Sequence, residues 1–342
     1  MAALSLRTRL LVAGSVAAGL WGVGVIAWLF SHSLAPLIFF GYLGTVVAPG
    51  VTYYLGLSPG KRIAGRRPLV AAIGLGMLAA ALARVLAQQS IVAVEGLFFE
   101  LFSGIFGAAL LHFVIAKLIG PLIFGRVYCG WACWTGALLD LLPFRHSEGR
   151  RGGIWPWLRY IHLAVSLALV AGLWFSYSYL PGPFEALIWF LSGVALYYLL
   201  GVTLALVLHD NRAFCKYLCP AGVLALPAAR FSLLKVRGDP QKCNALGECV
   251  AACPMDIRIT DYTHHGVRVL SSECTLCQVC INACPDGSLA LSVGVDPLGR
   301  LELLRTYAGP APVTIIPRRL RRSRQARQAT KLEGTHDGRE RS

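Results

Sequence analysis

Six apolar runs constrain this chain more than any other feature: residues 10–30, 34–57, 68–87, 97–124, 158–180 and 184–208. A bilayer core takes about 20 residues of helix. In hydrocarbon each backbone N–H and C=O must be satisfied within the segment, so such runs become helices. The chain has 342 residues, 56% hydrophobic and 14% charged, whereas soluble domains are about a quarter charged. The expected fold is therefore an α-helical multi-pass membrane domain of about six transmembrane helices, with a soluble last third. Arg7 and Arg9 precede the first run, and no small-residue cleavage site follows a short apolar stretch. That run reads as a retained helix rather than a signal peptide. Pro49-Gly50 interrupts the second run and suggests a kinked or re-entrant element.

The charge of +15 would suit nucleic acid in a soluble chain, but here its distribution has another explanation. Lys61, Arg62, Arg66 and Arg67 occupy one connection, Arg126, Arg145, Arg150 and Arg151 another, and Arg212 and Lys216 follow the sixth run. Residues 88–96 and 176–182 carry no Lys or Arg. The positive-inside rule then puts both termini in the cytoplasm and leaves no nucleic-acid role to explain. After Pro317 the chain is rich in Arg, Gln and Ser and is expected to be disordered. Its run Arg318, Arg319, Arg321, Arg322 and Arg324 either lies against anionic lipid or is simply solvated.

All eleven cysteines fall between Cys129 and Cys284, on the predicted cytoplasmic side. An odd number in tight clusters argues for metal ligation rather than a disulfide framework. Cys274-x2-Cys277-x2-Cys280-x3-Cys284-Pro285 is the bacterial ferredoxin run, in which three thiolates grip one cluster and the fourth reaches to another. Zinc motifs rarely space four cysteines this way. Cys243, Cys249, Cys253 and Pro254 superpose on that run at an offset of about 31 residues, with Leu246 opposite Cys277. Cross-ligation predicts one 4Fe–4S set of Cys274, Cys277, Cys280 and Cys253. A second set, Cys243, Cys249 and Cys284, lacks its fourth ligand at Leu246. That site is expected to hold a 3Fe–4S cluster or a 4Fe–4S cluster with a non-cysteine ligand, or to be empty. Ile257-Arg258-Ile259 and Leu289-Ala290-Leu291 are the β-prone stretches of a two-fold α+β ferredoxin-like fold.

The remaining four cysteines form a second repeat. Arg126-x2-Cys129-x3-Cys133-x2-Gly136-x-Leu138 matches Arg212-x2-Cys215-x3-Cys219-x2-Gly222-x-Leu224. In a helix, i,i+4 spacing sets both thiols on one face. Three readings stand: a shared third cluster, redox-active dithiols, or plain buried cysteines. Domain limits follow as 1–209 for the membrane part, 210–236 for the second motif and an amphipathic linker, 237–297 for the ferredoxin-like unit and 298–342 for the tail.

The run GRVYCGWACWTGALLDLLPF, together with NRAFCKYLCPAG and the double ferredoxin motif, resembles the membrane-bound ferredoxin-type proteins of the NapH and MauN kind. These are associated with periplasmic nitrate reduction and methylamine oxidation, and nitrous-oxide-reductase regulators are related to them. The resemblance covers roughly residues 97–295. The family's Cys-x3-Cys-Pro elements map onto Cys129/Cys133 and Cys215/Cys219, with Trp134 where Pro is usual. It implies a bacterial cytoplasmic-membrane location and iron–sulfur electron transfer between the quinone pool, or a cytoplasmic donor, and a partner redox enzyme. A redox-sensing or maturation role for such an enzyme is the alternative. No acid–base pair, nucleophile motif or nucleotide loop marks the chain as a self-contained catalyst; at most it is a subunit of a quinol-linked oxidoreductase.

Ionisable groups inside spans are costly and draw attention: Arg84, Glu95, Glu100, His112 and Lys117. His112 or Glu100 is the candidate proton acceptor of a quinone site, while a histidine packed between helices is the plainer reading. Haem would need paired histidines, and His112, His162 and His209 fall at unmatched depths. Lys117 has the length to snorkel to the interface.

Overall fold

The computed structural model describes residues 5–88, 90–144 and 149–296. Arg145 and the tail with its Arg run lie outside them. Helices α1 (Leu6–Ser31) and α2 (Leu34–Gly56) form a hairpin. The Ser5 hydroxyl caps α1 by accepting from the Thr8 N–H at 3.2 Å, and Ser33 caps α2 in the same way. Helix α2 runs unbroken through Pro49, so the second run is not a re-entrant element. The Thr45 and Thr52 hydroxyls bond back to the Gly41 and Ala48 carbonyls, which keeps these polar groups satisfied inside the helix. Helix α3 (Pro59–Gln88) begins nine residues before the predicted start, because the basic stretch is itself helical and Pro68 is tolerated within it.

The predicted fourth span is corrected. Residues 97–124 are not one rod but two helices bent by 119°. Helix α4 (Val94–Ser103) starts deep: Glu95 accepts from the Ser166 hydroxyl midway along a later helix, and Ile91, Val92 and Val94 are buried. It then climbs until Phe99 meets Tyr179 and Trp189 edge-on. Residues 91–95 of the Arg/Lys-free segment are thus packed into the helices rather than exposed as a connection. After Gly104 the chain turns back through α5 (Ala108–Phe113), a π-helical turn (Val114–Ile119) and α6 (Gly120–Phe124). These 17 residues span about 25 Å at 1.5 Å each. Short helices α7 (Val127–Trp131) and α8 (Trp134–Leu139) precede the long α9 (Leu158–Tyr177) and α10 (Pro183–Leu208). Among the described residues five helices are long and apolar enough to cross a membrane, six if the bent pair counts as one. Phe30, Phe175 and Phe184 are 86%, 75% and 73% exposed, as lipid-facing side chains are.

Helices α11 (Ala213–Tyr217) and α12 (Pro220–Arg230) lead into the ferredoxin-like unit. Its strand β1 (Leu234–Gly238) pairs antiparallel with β2 (Leu289–Val293), Leu234 opposite Val293 and Gly238 opposite Leu289. The predicted boundary at 236/237 falls inside β1, which belongs with this unit. Between the strands lie α13 (Glu248–Ala251), α14 (Ile259–His264) and α15 (Val279–Ala283). Leu289–Leu291 is strand as expected, but Ile257–Ile259 is not: Ile259 opens α14, and both isoleucines fill the core beside Val236, Met255 and Leu270.

Candidate iron–sulfur centres

The two membrane-edge repeats meet. Cys129, Cys133, Cys215 and Cys219 line one cavity, walled by the start of α4, the end of α5, the middle of α10 and the short helices α7, α8 and α11. The thiols of each pair do not share a continuous helix face, as the spacing suggested. Helix α7 ends before Cys133 and α11 before Cys219, and each of these cysteines opens the next helix in an extended conformation. Pro220 imposes that on Cys219 by disfavouring helix at the residue before it. Cys133 precedes Trp134 instead, yet its φ −72°, ψ 119° nearly repeats the −68°, 110° of Cys219. The departure at Trp134 leaves the geometry intact.

The repeat also explains its arginine and glycine. Arg212 crosses to the first copy, donating to the Cys129 carbonyl at 3.2 Å, and a Cβ on Gly136 would stand 2.5 Å from its Nη1. Arg126 crosses the other way, and a Cβ on Gly222 would stand 3.0 Å from its Nη2. Each glycine clears a path for the other copy's guanidinium.

The cage is strongly cationic. Arg212 approaches the Cys215 sulfur at 3.7 Å, and Lys117 reaches that of Cys129 at 3.7 Å. Burial alone would raise the Cys129 thiol, but Lys117, Arg126 and Arg212 draw it down to about 7. Cys219 is pushed up to about 12 by burial and then by the neighbouring Cys215 and Cys133. The hydroxyls of Tyr128 and Tyr197 are buried in the cavity wall with no hydrogen-bond partner among the described residues. Buried polar groups are normally satisfied. Four thiols, three cations and two orphan donors around one cavity fit a polyanionic cluster with acceptor sulfurs.

In the ferredoxin-like unit, Cys253, Cys274, Cys277 and Cys280 line a second cavity. Cys253 is pushed up to about 12, first by burial and then by Cys277. Cys249 likewise rises to about 12 through burial and then through Cys284 and Cys243. Cys253 and Cys277 are thus neighbours, as are Cys249, Cys284 and Cys243. Leu246 is buried, and its aliphatic chain cannot bind iron. His264 Nε2 lies 4.0 Å from the Cys243 sulfur.

Comparison with known proteins agrees with this division. A 4Fe-4S binding domain family matches residues 105–150 and again 192–237, one match on each membrane-edge copy. A 4Fe-4S dicluster domain family matches residues 235–285. An uncharacterized protein of Methanocaldococcus jannaschii is 32% identical over 55% of this chain and 74% of its own length. The ferredoxin-type protein NapH of Escherichia coli is 29% identical over 52% and 66%, and that organism's putative electron transport protein YccM 26% over 53% and 55%. The chain belongs to the NapH/MauN-like ferredoxin-type proteins. No solved structure matches it.

As a ferredoxin-type protein it is an iron–sulfur electron-transfer protein of the membrane. Its soluble unit is locked to the membrane part through Glu273, which accepts from Arg126 at 2.7 Å and is ion-paired with Arg159 at 2.6 Å and Arg150 at 3.3 Å. Burial would raise this carboxyl, but Arg150, Arg126 and Arg159 hold it at about 2. Asp140 likewise binds Arg66 and Arg212, and Lys216 sits between Asp210 and Asp256. The Tyr54 hydroxyl accepts from Asn282, and the Trp131 indole donates to the Leu276 carbonyl at 3.0 Å.

The ferredoxin-type protein separates its candidate membrane groups. His112 lines the four-cysteine cavity, packed against Tyr128 and Trp134. Glu100 does not serve there. Its oxygens accept from the Ser90 hydroxyl at 2.5 Å and from the Ala109 and Leu110 N–H groups that open α5, so it is a helix cap. His162 donates to the Leu218 carbonyl, and His209 packs on Phe144. Lys117 does not snorkel: it is 5% exposed and points into the cage.

Proposed function

We propose that this protein passes electrons between the quinone pool and a partner redox enzyme through three adjoining centres. Cys129, Cys133, Cys215 and Cys219 hold the membrane-edge centre. Cys253, Cys274, Cys277 and Cys280 hold a 4Fe–4S centre next to it. Cys243, Cys249 and Cys284 hold a three-iron centre beyond that, with Leu246 closing the fourth corner. A cubane supplies a one-electron couple; the chain supplies thiolates, counter-cations and a water-poor wall. The observation that carries the reading is Thr275, which lines both of the first two cavities. The two cavities therefore adjoin at that residue.

The partner enzyme docks on the ferredoxin-like side. The basic segments around the cages support a cytoplasmic location for all eleven cysteines. His112, on the wall of the membrane-edge cage, is the group from which a quinol site is built. The test is reduction of the protein in membrane vesicles by a short-chain quinol, followed by electron paramagnetic resonance. Signals from the reduced membrane-edge centre are expected first. Reduction by dithionite but not by quinol would overturn the quinone assignment.

A further inference from the structure

Lys117 is a buried cation without a carboxylate. Arg126 pairs with Glu273 and Arg212 with Asp140. Among the described residues no Asp or Glu lies within ion-pair distance of Lys117, whose ammonium instead meets the Cys129 sulfur at 3.7 Å and the Tyr128 ring at 4.4 Å from its centroid. Burying a charge this way is expensive unless something negative shares the site.

The backbone is built to aim it. Pro121 has no N–H for the Lys117 carbonyl four residues earlier, and its ring would crowd that carbonyl. The ladder shifts instead to a π-helical turn, in which the Gly120 N–H donates to the Ile115 carbonyl. Such turns rotate side chains off the ordinary helical register and recur at functional sites. The second repeat has neither feature. At the same offset, Thr203 stands for Lys117 and Val207 for Pro121, and α10 continues as regular helix. The four cysteines come in symmetric pairs; the added cation comes from one side only.

We propose that Lys117 sets the reduction potential of the centre held by Cys129, Cys133, Cys215 and Cys219. The proposal rests on those four cysteines holding a centre. Gaining an electron makes that centre more negative. A fixed positive charge a few ångströms away, inside a poorly screened cavity, stabilises the reduced form. Lys117 therefore raises the potential, as a positioning charge and not as a ligand.

The test is a redox titration monitored by electron paramagnetic resonance on the purified full chain, with iron counted per chain. Lys117→Met, which keeps length and removes charge, is expected to retain its iron and to titrate at a clearly more negative potential. Lys117→Arg is expected to stay near the wild type. An unchanged potential in Lys117→Met at full iron content overturns the proposal. Lys117→Gln is the second neutral variant. If both neutral variants lose the centre while Lys117→Arg keeps it, Lys117 is an assembly counter-ion and the potential-setting role is overturned. If Cys133→Ala loses no iron, the four-cysteine reading itself fails, a different result from either of these.

Discussion

The chain carries two internal repeats, and they have diverged in opposite ways. The membrane-edge repeat keeps every thiol in both copies, while its surroundings are unequal: Lys117 and a π-turn on one side, Thr203 and regular helix on the other. The ferredoxin-like repeat keeps its spacing at every other cysteine and at the proline but lacks one ligand, with Leu246 facing Cys277 across the offset. A centre's chemistry is set by its ligand set and by the charges around it. The two repeats have changed one each. At the membrane edge the ligands stay and the field differs; in the soluble unit the ligand set itself is altered.

Ligand substitutions test that contrast most directly. Cys219→Ala at the complete site is expected to remove a whole centre, about four irons per chain, read by iron analysis. Leu246→Cys at the altered site should work in the opposite direction. It adds about one iron and abolishes the three-iron signal of the oxidised protein. If the wild type shows no such signal and His264→Ala removes a nitrogen coupling from the reduced centre, the fourth ligand is the imidazole and the ligand sets of the two repeats are closer than proposed.

Buried ion pairs, within the membrane edge and at its joint with the soluble unit, should show smaller effects, on stability. Asp140→Asn leaves Arg66 and Arg212 buried without their anion, and removing one partner of such a group costs about 3–5 kcal/mol. A clear fall in the thermal midpoint in detergent is expected, and an unchanged midpoint would show the cluster to be solvated. Glu273 tests the joint through pH. Its carboxyl is held at about 2, below the ordinary value of 4.5. Its stabilisation is therefore complete above about pH 4.5 and is lost as pH falls towards 2, on the order of 3 kcal/mol in all. Glu273→Gln should be less stable than the wild type at pH 7 and lose less on acidification between pH 5 and 3.

Much of the candidate site was legible because its code is local. Cysteine spacing, the two repeat offsets and the missing ligand at Leu246 are all countable along the chain. So were the long apolar runs, since lipid permits few alternatives to helix. The buried charges were not legible. Arg66, Arg126, Arg212 and Lys216 read as loop residues marking one side of the membrane, yet each is buried in an ion pair. Arg66 and Asp140 are 74 residues apart and Arg126 and Glu273 147, beyond any local pattern.

By itself, then, the sequence determined that this is a helical membrane protein with ferredoxin-type thiols in two repeats, because span length and ligand spacing are properties of neighbouring residues. Only the tertiary structure decided that the membrane-edge pairs converge, that Glu100 caps a helix, that residues 97–124 fold back and that Lys117 turns inward. Those outcomes depend on how distant helices pack and on which buried charge finds an opposite one, and no periodicity along the chain records either.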